Sequence, residues 1–565
     1  MSFKANNSQQ INLHDNFLAL NKRESKILLN SWAKEFADIV FPAINEQRFA
    51  VLFSGNKASR PNSPVNAIIG ALILKEMFDL TDDELLETII FDVRYQYALH
   101  TTSFEEQPFS DRTFSRFRGR LYSHLMETGV DLLQEEIEAL AENFRIFLNI
   151  NTTMKRMDSL MVSSSCKNMS RIEILFTCLS NMISVVHKTG EIELLSSLEY
   201  YLKDESKNEM IYHRKNEEIT SRLQQVTDDA YLLMSRLGDA YLDFSEYQLL
   251  SRVLKEQTKE NSDGKFIAKS NREITPTSLQ NPSDPDATFR SKAGKKNKGY
   301  VGNFVETFNK EDAIITSYGY EPNSHSDSKF CKEVIEDLSE QESATILLAD
   351  GAYASTENTK LASKNNIELI TTALLGKSPE AILAYFEINS QIREMVKCPA
   401  GHKPYKTRYN EKTEIYRASF NKSDCQKCAL KDQCGVKFQK KSAVITITEK
   451  TIQRASYLKK MSTTEYRTLA KKRNGVEGIP SVLRRKYNVD HMPVRGLVRS
   501  KIWFGFKIGA INVKRVLKKV GNSFTKNIFV NMALNTEKYK GKIFSALLES
   551  NRNKFIGVRM SVVTL

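Results

Sequence analysis

Three acidic residues in this 565-residue chain stand where a carboxylate can do chemistry. Asp350 closes the apolar run Ile346-Leu347-Leu348-Ala349, and Gly351 follows at once. The tip of a buried strand is a common place for catalytic and metal-binding side chains. A glycine there lets the backbone turn sharply and approach a ligand. The other reading is an Asp that caps a turn or the next helix. Asp158 lies in a stretch with Met154, Met157, Leu160 and Val162, where a lone charge is costly unless it is paired or binds a metal. Glu477, in Arg473-Asn474-Gly475-Val476-Glu477-Gly478, lies among many cations. It is either ion-paired or holds a divalent metal beside bound DNA.

A second group is sulfur-based. Cys398-Pro-Ala-Gly-His402 precedes Cys425-Gln-Lys-Cys428-Ala-Leu-Lys-Asp-Gln-Cys434. A Cys-x2-Cys pair with one more Cys close by and one upstream suits a tetrahedral Zn²⁺ site, with His402 as a fifth candidate for four positions. Such a site would fold an insertion too small to have its own core. The Cys-x2-Cys-x5-Cys spacing also fits an iron–sulfur cluster, as the alternative to zinc, and free thiols are the third reading. Cys166, Cys178 and Cys331 stand apart and read as small core residues. The polar N-terminus and the lack of an apolar run long enough to span a bilayer read as cytosolic, where thiols stay reduced.

Lys and Arg exceed Asp and Glu to give a net charge of +14, an excess that favours a polyanionic partner. A basic protein with no nucleic-acid role is the alternative. The cations gather in three places. Arg112, Arg116, Arg118 and Arg120 form one group, and Lys292, Lys295, Lys296 and Lys298 another. The third, residues 484–520, holds eleven Lys and Arg against one acid, Asp490. Arg484, Arg485, Lys486, Arg495, Arg499 and Lys501 belong to it, with Trp503, Phe504 and Phe506 interleaved. Cations among aromatics suit a DNA backbone groove with stacking on distorted bases; alternatively the aromatics are core.

The elements that must carry these groups are legible in outline. The length suggests three or four domains, and 41% hydrophobic residues exclude a disordered chain. Residues 1–145 read as helical. Ser63 reads as an N-cap before Pro64, Thr81-Asp82-Asp83-Glu84 as a capping box, and Ser110 as the cap of a helix over 111–121. Three short helices with a basic last one suit a helix-turn-helix module, and a helical dimerisation domain is the alternative. Residues 146–165 read as strands, 170–260 as a long helical insertion around Leu175, Leu179, Met182 and Val186, and 262–300 as a charged loop. Strands at 299–307, 312–318, 344–349 and 367–372, with helices around 326–339 and 355–364, predict a mixed α/β sheet. A further strand is expected at 443–448 and basic helices from 463.

Five passages, in order along the chain, resemble the bacterial insertion-sequence transposases with an RNase H-like DDE catalytic domain. They are PNSPVNAIIGALILKEMFDLTDDELLE…FSDRTFSRFRGRL, RMDSLMVSS, DPDATFRSKAGKKNKGYVGNFVE, ILLADGAYAS and RNGVEGIPSVLRRKY. The resemblance is to the subgroup with a helical N-terminal domain and a cysteine-bearing insertion. It implies that Asp158, Asp350 and Glu477 are the catalytic triad, on the first strand, the fourth strand and a late helix. Tyr353 then completes a D-x-x-Y pattern. Around the third acid the family has Tyr, Arg, Glu and Lys in order. Here Arg473 and Glu477 match, Arg484 replaces the lysine, and Ala470 stands where the tyrosine belongs, with Tyr466 nearest; Arg473 and Arg484 are expected to contact DNA.

The resemblance further implies two Mg²⁺ ions, or Mn²⁺, about 3.5–4 Å apart. One activates the attacking water or 3′-hydroxyl, the other stabilises the leaving oxygen, and Asp158 bridges them. The expected function is transposition: a bacterial, cytoplasmic, nucleoid-associated homodimer binds terminal inverted repeats in double-stranded DNA, cuts the transposon ends and joins them to target DNA. The rivals are a catalytically inactive transposase-derived regulator, a stand-alone nuclease and a metal-stapled scaffold. The expected organisation is a helical DNA-binding or dimerisation domain over 1–145, an RNase H-like core over 146–169 and 263–390, and a helical insertion over 170–262. A Cys-rich zinc-ribbon-like insertion over 391–440 and a last core segment with basic DNA-binding helices over 441–565 complete it.

Overall fold

The computed structural model describes residues 1–6, 16–56, 58–101, 109–212, 215–292, 294–339, 344–374, 376–389 and 391–522. The sequence reading of residues 523–565 as part of a basic C-terminal region lies outside them.

Five strands build the central sheet: β1 (Met154–Ser163), β2 (Lys295–Phe308), β3 (Ala313–Pro322), β4 (Thr345–Ala349) and β5 (Ile367–Thr371). Across the sheet they run β3-β2-β1-β4-β5. The first three are antiparallel and β4 and β5 run parallel to β1. A sixth strand, Thr288–Lys292, forms a hairpin with the start of β2 inside the segment read as a loop. This is the mixed α/β, RNase H-like sheet that the sequence predicts. Its order puts β1 and β4 side by side, with Arg156 opposite Leu348. The paired register ends there; continued by two residues it would bring Asp158 level with Asp350, which is near enough to raise the Asp158 carboxyl.

Alternation along the strands sorts side chains between two faces. Met157, Val301 and Val305 pack with the helices Asp327–Ser339 and Thr356–Lys364. Leu160, Val162, Tyr300 and Phe304 face the other way, into the largest core. That core joins the chain's two ends. The N-terminal helices α1 (Val65–Phe78), α2 (Asp82–Phe91), α3 (Thr113–Thr128) and α4 (Leu132–Phe147) pack with the helix Leu497–Asn522 against the sheet. Gly302 of β2 lets the Phe504 ring in: a Cβ there would lie 2.5 Å from it.

Several local expectations are corrected. Pro64, not Ser63, is the N-cap of α1, with no side-chain cap bond. The Thr81–Glu84 capping box does open α2. Ser110 caps no helix; its N–H donates to Thr113 Oγ1 and α3 begins at Thr113. Phe147 belongs to α4, because the helical stripe Leu133, Ile137, Leu140 and Phe144 carries the helix through it. A helix Glu449–Met461 precedes the helices expected from 463.

Two insertions leave the sheet. Between β1 and β2, helices Arg171–Thr189, Ile219–Arg236 and Ser245–Gln257 enclose their own apolar core. Between β5 and the helix Thr464–Lys472 lies a second, four-stranded sheet built on strands Ile415–Asn421 and Ser442–Thr448. It carries the cysteines. It also has an apolar core, with Met395, Tyr416, Phe420 and Ile445, so the expectation of an insertion too small for one is corrected.

Candidate active site

Asp158 leaves β1 on the face that packs against the C-terminal segments. Its side chain is 14% exposed. Oδ1 accepts the Ser159 N–H at 2.9 Å and pairs with Arg473 Nη2 at 2.9 Å. Burial pushes the carboxyl above its usual range, and neighbouring Asp350 pushes the same way. Arg473, the Ser159 N–H and Lys292 offset part of the rise.

Asp350 follows the last residue of β4, where the backbone remains extended. Its Oδ1 accepts from the Gly351 N–H at 2.6 Å and from Thr372 Oγ1 at 3.1 Å, so it also caps the turn Gly351–Tyr353. Gly351 is required for space, since a Cβ would lie 2.7 Å from the Ala373 carbonyl oxygen. Tyr353 is buried behind the site and donates to Asn303 Oδ1 at 3.0 Å.

Glu477 ends a 3₁₀ turn, Arg473–Glu477, that leads into the helix Gly478–Lys486. Its side chain is 57% exposed. Arg473 connects it to Asp158: Nη1 meets Glu477 Oε1 at 2.5 Å while Nη2 holds Asp158. The sequence reading puts Arg473 on DNA. Here it is buried and committed to two acids, with Nε lacking a hydrogen-bond partner. Tyr466, the nearest candidate for the family tyrosine, is also buried, and its hydroxyl joins Thr371 at the end of β5.

Among the described residues, no three His, Cys, Asp or Glu side chains stand close enough to hold one metal ion. The donor set still fits a hard cation. Asp158 and Glu477 offer carboxylate oxygens that share a positive charge, that of Arg473, and Asp350 adds a third carboxylate beside Asp158.

The expected DNA contacts divide into two groups. Arg112, Arg116, Lys295, Lys296, Arg485, Arg495 and Arg499 are exposed. Arg118 pairs with Asp82, Arg120 donates to the Leu52 carbonyl, and Lys298 donates to the Met169 carbonyl. Arg484 pairs with Asp490 and donates to the Met161 carbonyl, and Lys501 is half-buried. Trp503, Phe504 and Phe506 are core residues, the alternative that the sequence left open.

Cys398, Cys425, Cys428 and Cys434 line a single pocket, together with His402. The Leu430 N–H donates to Cys428 Sγ at 3.4 Å. Burial and the three neighbouring sulfurs push the Cys425 thiol up to about 11. Cys178 and Cys331 are buried, as expected of core residues, and Cys166 is half-buried.

Two family models match the chain, one described as "Transposase domain (DUF772)" over residues 24–120 and one as "Transposase DDE domain" over residues 397–517. The two matches, in this order along the chain, support an insertion-sequence DDE transposase. No curated protein and no solved structure matches it significantly. The first match covers α1, α2 and the basic start of α3. The second covers the cysteine-bearing sheet, Glu477 and most of the long C-terminal helix. Asp158 and Asp350 lie outside both ranges. Among the described residues no helix is long and apolar enough to cross a membrane.

Sequence reasoning missed the neighbours of the acids. Arg156 shares the sheet face of Asp158, and Asp327 accepts from Ser159 Oγ and pairs with Arg290 and Lys292. Arg156 had a signal, because residues two apart on a strand project together.

Proposed function

We propose that this transposase binds the terminal inverted repeats of its element as a dimer, and cuts and joins DNA with Asp158, Asp350 and Glu477 as ligands of Mg²⁺ or Mn²⁺. The observation that carries the reading is the pairing of the first and fourth strands. It sets Asp158 beside Asp350, while Arg473 ties Glu477 to Asp158. Two bound ions would activate the attacking oxygen and stabilise the leaving one. The chain supplies the rest. Asp158 holds its carboxylate from the middle of the rigid sheet, Asp350 from the tip of β4, and Glu477 from a turn that the basic C-terminal segment can bring against DNA. Exposed Arg112, Arg116, Lys295, Lys296, Arg485 and Arg495 meet backbone phosphates.

The test is Asp350→Asn. The variant should bind inverted-repeat DNA as the wild type does, while Mg²⁺-dependent strand cleavage disappears. Cleavage at the wild-type rate would sink the assignment. Cleavage by the wild type without preference for the repeats would favour a stand-alone nuclease instead.

The cysteine pocket is read as a zinc site formed by Cys398, Cys425, Cys428 and Cys434, with His402 as the alternative ligand. Soft thiolates at Cys-x2-Cys spacing favour Zn²⁺, and the Leu430 N–H already donates to one of the four sulfurs, Cys428 Sγ. Because the sheet has its own apolar core, the metal would brace this insertion rather than create it. Purified wild type should contain one zinc per chain, and Cys425→Ser should lack it and melt at lower temperature. With the Cys425 thiol near 11, uptake must release protons, so affinity should fall as pH is lowered. Iron in the elemental analysis would point to a cluster; protein with neither metal would leave free thiols.

A further inference from the structure

We propose that Arg156 is a positioning residue that sets the turn carrying Glu477 against the strand carrying Asp158. The inference rests on the reading of those two acids as partners in one centre. Arg156 precedes Asp158 by two residues on β1, so both side chains project from the same face. Its Nε pairs with Glu306 Oε2 at 2.5 Å, its Nη1 donates to the Lys472 carbonyl at 3.0 Å, and its guanidinium carbon sits 4.2 Å from the centre of the Phe308 ring. Glu306 is itself fully buried and is held from the other side by Arg515 Nη1 at 2.7 Å, from the long C-terminal helix. The guanidinium is therefore fixed by β2 and presented to the segment that enters the turn Arg473–Glu477. Only arginine can fork between a carboxylate and a carbonyl while lying on an aromatic ring.

Gly475 is the complement of this arrangement. A Cβ at 475 would lie 2.0 Å from Arg156 Nη1 and 2.6 Å from its Cζ. Gly475 has no left-handed backbone, so the glycine answers a need for room. Arg156 and Gly475 form a matched surface: the arginine supplies the support, and the missing side chain lets the turn settle on it. Arg156 reaches no reacting atom; its effect passes through the placement of Glu477.

The experiment is a double-mutant cycle in the full chain with Arg156→Ala, Gly475→Ala and the pair. Each single change should lower Mg²⁺-dependent cleavage about 10- to 100-fold, the scale of a small misplacement of a catalytic group. Each should raise the Mg²⁺ concentration needed for half-maximal rate, with inverted-repeat binding unchanged. In the Arg156→Ala background, Gly475→Ala should cost little more, because the atoms it would strike are gone. Arg156→Lys, which keeps the charge without the fork, should not restore activity. A second readout needs no catalysis: amide hydrogen exchange over residues 473–486 should quicken in both single variants. Losses that multiply in the double variant, full rescue by lysine, or unchanged exchange would overturn the proposal. If Arg156→Ala does not fold, Gly475→Ala alone decides, since it leaves the partners of Glu306 in place. A wild type that never cleaves DNA would defeat the functional reading, while the exchange arm would still judge the positioning role.

Discussion

Changing Asp158 to Asn should lower cleavage by about a thousandfold or more, roughly 4 kcal/mol of transition-state stabilisation, while leaving the folded protein at least as stable. The loss follows from the proposed role of Asp158, where an amide would offer one neutral oxygen to a Mg²⁺ that needs compensating charge. The stability follows from burial. The carboxyl lies above its ordinary range because desolvation outweighs the pull of Arg473, the Ser159 N–H and Lys292. An acid raised on folding stabilises below its unfolded pKa, about 4 for Asp, and that contribution is lost as pH rises through the folded value. At neutral pH the ionised carboxylate therefore weakens the fold, and asparagine removes that cost. Arg473 keeps Glu477 as a partner. Single-turnover cleavage with thermal melting separates the outcomes. A variant that is both inactive and markedly less stable would make Asp158 a structural ion-pair member instead. A stable, inactive variant would show stability given up for function.

Glu76→Ala should be the most destabilising change at a site far from the acids, by about 3–5 kcal/mol. Glu76 on α1 meets Lys507 on the long C-terminal helix at 2.6 Å, with side chains 10% and 4% exposed. Lys507 also lies 4.7 Å from the centre of the Trp503 ring. Removing the acid leaves an ammonium buried among apolar groups, which costs far more than the pair contributes. Replacing both members by methionine should recover most of the loss, because neither charge then needs a partner. Melting of the two single variants and the double variant measures this. A single variant that melts like the wild type would mean that water reaches Lys507 and the pair is not truly enclosed.

The strands of the central sheet were legible because each carries its own pattern. Tyr300 and Phe304 alternate with Val301 and Val305 onto opposite faces, and the apolar run before Asp350 ends in the glycine that the turn demands. The role of Arg473 was not legible, since a cation four residues before an acid looks the same whether it meets DNA or spans two carboxylates. Only the approach of β1 to the turn decides. The long C-terminal helix left two readings open for a related reason. Its cations suggest a surface, but Gly302 and Gly505 leave room for Phe504 and Tyr318, and that room is a property of partners distant in sequence. The core of the cysteine-bearing sheet was hidden because Met395, Tyr416, Phe420 and Ile445 are spread over several short strands. Only Ile445 lies in a conspicuous run, 443–448, and one strand does not reveal a core.

The joining of both chain ends in one core has a consequence for synthesis. Helices α1 to α4 emerge from the ribosome about 350 residues before the helix that completes their packing. At about 5–20 residues per second, they wait roughly 20 to 70 s with apolar surface uncovered. A nascent chain stalled anywhere before Leu497 carries Asp158 on a sheet that lacks its cover, and Glu306 without Arg515. Fragments released by early termination would thus be open to chaperones and proteases, and the proposed DNA-cutting centre would take shape only once translation has run past that helix.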